Sequence, residues 1–224
     1  MTHDLNNWTA RERPPYTAVE GRYVTLVPIV DDTYFDDLWN AFTVEGSDVV
    51  WSYLLDGPFA EKSAFLDYAR HLYLGKDPMF HALIDAQDGK AKGVASLMRI
   101  NPEHGSIEVG HICYGLELQR RPATTEAFYL FGKRVFEELG YRRFEWKCNN
   151  LNEPSKRAAI RFGYVPEGVH RQAMIAKGKN RDTAWFSILD SEWPGLKNAF
   201  EQWLSPDNFD SQGQQNKRLE EFRN

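Results

Sequence analysis

One stretch of this chain restricts the possible folds more than any other. It runs from Glu108 to Tyr164 and reads strand, polar corner, helix, strand, Asn-rich turn, helix. Its first half is E-V-G-H-I-C-Y-G-L-E-L followed by Q-R-R-P-A-T-T-E-A, and its second half ends C-N-N-L-N-E-P-S-K-R-A-A-I-R-F-G-Y. A strand, a crossover helix and a second strand in one sheet join in a right-handed sense, so Ser106–Gly115 and Arg142–Cys148 are expected to lie parallel. The corner is a ready anion site. The first N–H groups of a helix are unpaired and the helix dipole favours negative charge there. Arg120 and Arg121 stand at the same corner and can add charge-assisted contacts, although two arginines before a helix are as readily plain solvated surface.

The rest of the chain supplies a mixed sheet around that unit. Arg22 to Pro28 alternates like a strand, and Pro28 stops it. Tyr34, Phe35, Leu38, Trp39 and Phe42 recur at helical spacing. Pro58 is read as opening a second helix to about Leu74. Pro78–Ala86, Ala91–Ile100 and Ser106–Gly115 form an antiparallel meander through the turns D-A-Q-D-G-K and N-P-E-H-G. A helix over Ala123–Leu139 presents Ala127, Leu130, Phe131, Val135 and Leu139 and ends at Gly140. Asn152 caps the helix that Gly163 stops. A hairpin then turns at Lys177-Gly178, and a last helix runs from about Trp193 to Leu204. The expected order is βααβββαβαββ, an α/β (α+β) domain with helices on both faces of a mostly antiparallel sheet. Residues 1–20 read as an extended arm, 21–204 as the domain and 205–224 as a polar, loose tail.

Charge and cysteine usage exclude several classes. A formal net charge of −5 argues against a protein that holds nucleic acid by neutralising phosphate. No apolar run is long enough for a membrane helix, and the polar start offers no signal peptide, so cytoplasmic residence is expected. Cys113 and Cys148 sit in apolar runs and read as buried thiols; no spacing suits a metal, and none is expected. Val49 to Leu55 is an apolar loop. Its Trp51 and Tyr53 either pack into the core or line a pocket for a second substrate.

The two motifs, L-E-L-Q-R-R-P-A-T-T-E-A and then N-L-N-E-P-S-K-R-A-A-I-R-F-G-Y, together resemble the GNAT superfamily of N-acetyltransferases. The likeness is greatest to the Rim-type branch, which includes the ribosomal-protein N-terminal acetyltransferases, and it covers roughly residues 20 to 190. It implies a single GNAT-like domain with a splayed parallel strand pair that transfers acetyl from acetyl-CoA to an amine. That acceptor would be a peptide N-terminus or a small molecule. The family's pyrophosphate motif is Gln/Arg-x-x-Gly-x-Gly/Ala. Gln119 matches its first position, but Pro122 replaces the first glycine and Thr124 stands at the Gly/Ala position. Pro122 suits a first helical turn yet offers no N–H. The remaining cradle would be the N–H groups of Arg121, Ala123 and Thr124, helped by Thr hydroxyls and by Arg120 and Arg121. The resemblance further implies that strand backbone from His111 to Leu118, Leu116 and Leu118 included, pairs with the pantetheine arm. The branch's Asn-x-x-Ser-x-Arg is matched by Asn152, Ser155 and Arg157, with Asn152 on the arm and Ser155 near the sulfur.

An attacking amine must lose a proton, and among Glu108, His111, His104 and His81 the reading takes Glu108, directly or through water, as the catalytic base. Glu108 lies in S-I-E-V-G-H, which resembles the family's Glu-x-Gly strand. Glu108 and His111 face opposite ways on a regular strand, so only a bulge near Gly110 would unite them. His111 and the loop residues Trp51 and Tyr53 are the acceptor-side candidates. A rival reading keeps the fold but not the turnover: a non-catalytic acyl-CoA or ligand-binding module, motivated by Pro122. The hairpin near Gly178 and the last helix are places where two copies could pair.

Overall fold

The computed structural model describes residues 5–223 and forms one mixed α/β unit around an eight-stranded sheet ordered β1-β2-β3-β4-β5-β6-β8-β7. The strands are β1 (Val19–Glu20), β2 (Val24–Pro28), β3 (Met79–Asp85), β4 (Ala91–Asn101), β5 (Ser106–Tyr114), β6 (Arg143–Asn149), β7 (Val165–Ala176) and β8 (Lys179–Leu189). The helices are α1 (Phe35–Phe42), α2 (Lys62–Tyr73), α3 (Pro122–Lys133), α4 (Glu153–Phe162) and α5 (Trp193–Trp203). All neighbours in the sheet are antiparallel except β5 and β6, the pair joined by the α3 crossover.

Alternation places two cores on the two faces of the sheet. On one face Ile107, Val109, Phe144 and Trp146 meet Ala127, Phe128 and Phe131 of α3, Phe162 of α4 and Phe200 of α5. On the other, Phe80, Ala82, Val94 and Cys113 meet Phe35, Leu38 and Phe42 of α1 and Phe65 and Tyr73 of α2. Both cysteines are buried and free.

Three segments differ from their sequence-based reading. Pro58 lies outside α2, which starts at Lys62 with Glu61 as its cap residue. The chain over 205–223 is not loose: Phe209 packs edge-on to Trp203, and Leu219 is fully buried. Glu126, whose place after the corner reads as a first-turn helix acid, lies beyond the first turn of α3. It is buried and accepts the backbone N–H groups of Arg22, Tyr23 and Val24 at 2.8, 2.5 and 3.0 Å.

Candidate active site

The site begins where two strands part. β5 and β6 are paired from Ser106↔Arg143 to Val109↔Trp146 and no further, although both strands continue. The cause lies on the other edge of β5. Val94 pairs with Cys113, but Ser96 pairs with Gly110, so β5 carries one extra residue. His111 adopts φ +47 there, and such a bulge bends its strand and leaves a residue out of the ladder. Ser96 Oγ donates to the Gly110 carbonyl at 3.0 Å and holds the bend. The result is a wedge between β5 and β6, flanked on one face by the α3 and α4 N-termini.

The α3 corner follows directly. Gly115 is needed by close approach, since a Cβ would lie 2.9 Å from the Ala41 carbonyl oxygen. Leu118 is fully buried and Leu116 is half-buried. Gln119 Nε2 donates to the Tyr114 carbonyl at 3.0 Å and closes the turn. Arg120 takes the left-handed conformation (φ +58), Arg121 is the extended cap residue, and Pro122 opens the helix. Within the described residues, the N–H groups of Arg120, Arg121 and Ala123 have no acceptor. The expected compensation for Pro122 is narrower than the sequence suggests. The Arg121 guanidinium is taken by Asp85, and the Thr124 N–H and hydroxyl both turn back to the Arg121 carbonyl, at 3.2 and 3.0 Å. Thr125 is buried and accepts from Arg161 at 3.0 Å. Backbone N–H groups and the exposed Arg120 side chain are what remain to receive an anion.

At the α4 corner, Asn152 Oδ1 accepts the Ser155 N–H at 3.1 Å, so Asn152 is the helix cap. Ser155 Oγ accepts the Trp146 indole N–H at 3.0 Å. An indole can only donate, so the serine keeps its own hydrogen for a further acceptor. Burial raises the Cys148 thiol above its ordinary range, opposed by a hydrogen bond from Ser155. Arg157 is exposed on α4.

On the opposite face of the sheet lie Glu108 and, past the bulge, His111, and Arg99 acts on both. Glu108 is buried, and its Oε2 lies 2.6 Å from Arg99 Nη1 and 2.9 Å from Lys147 Nζ. Lys147 also sits 2.8 Å from Glu145. The His111 ring packs on Phe80, with centroids 5.4 Å apart. Burial, then the Arg99 charge, lowers the His111 imidazole below its usual value, so it is neutral at pH 7. His81 is excluded from this group. It is fully buried on the other face against Phe131, and burial together with the Arg134 charge lowers it to about 3. His104 is exposed in the β4–β5 turn.

The apolar loop splits its two candidates. Trp51 does not line the wedge: only 2 % exposed, it packs edge-on against Phe42 and Phe59. Tyr53 is exposed, and its hydroxyl donates to the Leu151 carbonyl at 3.0 Å, in the turn between β6 and α4. Lys177, at the tip of the β7–β8 hairpin, donates to the carbonyls of Trp51 and Gly57 at 2.9 and 2.7 Å. The loop is thus tied to the β6–α4 turn and to the β7–β8 hairpin, both on the β6 side of the wedge. Sequence reasoning missed Arg99, Lys147 and Lys177. The period-2 run R-F-E-W-K-C-N carried the signal for Lys147, whereas Arg99 reaches Glu108 from a positive-φ position that no local pattern announces.

Among the described residues no cluster of His, Cys, Asp and Glu is placed to hold a metal, and no helix is long and apolar enough to cross a membrane. A splayed parallel pair with a bulge, under two helix N-termini, defines an acyltransferase of one particular fold. Residues 24–165 match the model of the acetyltransferase (GNAT) domain, and the chain belongs to that family. It is 50% identical to a GCN5-related N-acetyltransferase structure from Brucella melitensis, with a TM-score of 0.95 over 98% of this chain and 99% of that one. A probable acetyltransferase of the GNAT family from Chromobacterium violaceum is 36% identical, with a TM-score of 0.80 over 87% of this chain and 96% of that one. The curated relative "Putative ribosomal N-acetyltransferase YdaF" of Bacillus subtilis is 28% identical over 110 residues, which is 49% of this chain and 60% of that protein.

Proposed function

We propose that the chain transfers acetyl from acetyl-CoA to a primary amine by direct attack in a ternary complex. The observation that carries this reading is the parting of β5 and β6 beyond Val109 and Trp146, which frees strand backbone for an amide-bearing arm. The residues at the wedge fit such a ligand. The α3 N-terminus and Arg120 suit a pyrophosphate, with N–H groups of Arg121 and Ala123 free to donate. The Asn152 turn and Ser155 lie at the other end of the wedge. Acetyl-CoA supplies the acyl group as a thioester.

The proton handling follows from the two faces. His111 is neutral at pH 7 and takes the proton that the attacking amine loses. Glu108, pinned between Arg99 and Lys147, offsets the charge of these two cations so that they do not repel the ammonium form of the acceptor. The Ser155 hydrogen, not used on Trp146, turns from Cys148 to the departing thiolate. Most of the rate enhancement comes from positioning and exclusion of water under the tied loop. The B. subtilis relative's name, a putative ribosomal N-acetyltransferase, supports keeping a protein amine in the set of acceptors.

Calorimetric titration with acetyl-CoA, with desulfo-CoA as the unreactive control, tests the cradle. Micromolar binding followed by acetylation of a peptide or small amine is the expected result. Binding without turnover of any amine would instead support an acyl-CoA-binding module, and absence of binding by a folded sample would remove the acetyl-transfer reading and leave a module for another ligand.

A further inference from the structure

Among the described residues six buried side-chain polar atoms lack a partner, and the three that stand in one row on β8 bear on what the acceptor must look like. They are Arg181 Nε, Thr183 Oγ1 and Trp185 Nε1. Their i, i+2, i+4 spacing on an unbroken stretch of strand puts them on one face. That face is the acceptor side of the wedge. Trp185 pairs with Lys147, whose ammonium lies 3.6 Å from the Trp185 ring centroid, and Lys147 contacts Glu108.

A buried donor without a partner costs free energy, so three in a row need an explanation. Guanidinium and indole nitrogens donate and cannot accept, and a hydroxyl can do the same, so the missing group must be an acceptor. Thr183 is only 7% exposed, which rules out bulk water as its partner. Charge narrows the choice. Arg99 and Lys147 are neutralised by Glu108 and Glu145, whereas among the described residues Arg181 forms no ion pair with a carboxylate within 4.0 Å. Arg181 is close enough to Glu108, Arg99 and His111 for each pair to feel the other's charge. An uncharged water would satisfy a donor but would leave that cation unpaired.

We infer that Arg181, Thr183 and Trp185 form a carboxylate subsite, and that the acceptor is an amine bearing a carboxylate near its nitrogen. The inference rests on the acetyl-transfer reading above. The carboxylate lies on β8 while the nitrogen faces His111 and Glu108. Its source is either the α-carboxylate of a free amino acid or the acidic side chain of a peptide's first residue.

The test uses the full chain, acetyl-CoA and matched acceptors: phenylalanine against phenethylamine, and a peptide amide beginning with Asp against one beginning with Asn. The carboxylate member of at least one pair is expected to have a kcat/KM about 100-fold higher. Which pair responds identifies the source. Arg181→Met should collapse that preference to within about threefold, with acetyl-CoA affinity retained by calorimetry; Arg181→Lys should keep part of it. Thr183→Val, nearly isosteric, should lower the preference even where Arg181→Met misfolds. Equal turnover within both pairs overturns the inference, and so does turnover confined to amines without a carboxylate. Acetyl-CoA binding with no turnover of either carboxylate member overturns it as well. Failure to bind acetyl-CoA at all marks the failure of the acetyl-transfer reading instead.

Discussion

Arg121 closes both arms of its guanidinium on the carboxylate of Asp85, with Nη1 at 2.5 Å and Nη2 at 3.2 Å, and the Asp85 side chain is fully buried. Lys92 adds a third contact to the same carboxylate at 3.1 Å. The pair ties the end of β3 to the residue that caps α3. Two adjacent arginines therefore have different work. Arg121 fixes the conformation of the corner, and Arg120, left-handed and exposed, carries its available charge.

Separating the two by mutation is the direct check. Arg120→Glu should weaken acetyl-CoA binding about tenfold at low salt and less at high salt, since an exposed charge is screened. Its thermal midpoint should stay near that of the parent. Arg121→Ala should cost about 2 kcal/mol of stability, below the 3–5 kcal/mol of a fully buried broken pair because Lys92 remains. Urea unfolding and calorimetry read both. A silent Arg120→Glu beside a stable, non-binding Arg121→Ala would reverse the assignment.

The same pair sets an acid limit on stability. Burial by itself raises the Asp85 carboxyl, but hydrogen bonds from Arg121, the Gln87 N–H and Lys92 outweigh it and hold the group below its usual range. A folded value below the unfolded one gives stability that is complete above about pH 4 and is lost as pH falls through the folded value. The urea midpoint should be flat from neutral pH to about 5 and then decline. Asp85→Asn should be less stable at pH 7 and decline less steeply. Glu145 and Glu167 are lowered too, by Arg143 among others, so part of the acid slope should survive in that variant.

Glu126 makes a second such junction. Its carboxylate takes three successive backbone N–H groups from the chain entering β2, and Gly21 is there because a Cβ would sit 2.5 Å from Oε2. Glu126→Ala strands those donors and should cost about 3 kcal/mol in urea unfolding. Glu126→Gln, which keeps one acceptor oxygen, should cost less. A loss under about 0.5 kcal/mol for the alanine variant would mean water replaces the carboxylate freely.

The sequence made some of this visible and hid the rest for physical reasons. Strand order around the crossover was readable, because alternation in Ser106–Tyr114 and Arg143–Asn149 and the polar corner between them are local signals. So was Asn152 as cap, since capping spans only three residues. The partners of Glu108 were not, because Arg99 reaches it across a β4–β5 register shift that only the folded strand pair defines. Trp51 misled for the opposite reason. An aromatic in a loop looks available, yet Phe42, Phe59 and Tyr68 enclose it from three separate segments. Arg121 looked like surface charge because its partner, Asp85, lies 36 residues away on another strand.

The last prediction concerns the proton. Glu108 and His111 both reach the wedge, but their environments differ in kind. Glu108 already accepts from two cations, and taking a proton would break that pairing. His111 is lowered by burial and by Arg99, so at neutral pH its imidazole is neutral and one ring nitrogen is open to accept a proton. If His111 accepts from the amine, kcat/KM should stay level as pH falls to 6.5 and decline only below it, because the folded imidazole protonates below its ordinary value. His111→Ala should lower kcat about 100-fold and erase that acidic limb, leaving the steeper dependence set by deprotonation of the amine itself. Glu108→Gln should act differently, raising KM for the acceptor while keeping the limb in place. A limb that disappears in Glu108→Gln and persists in His111→Ala would transfer the role to the carboxylate.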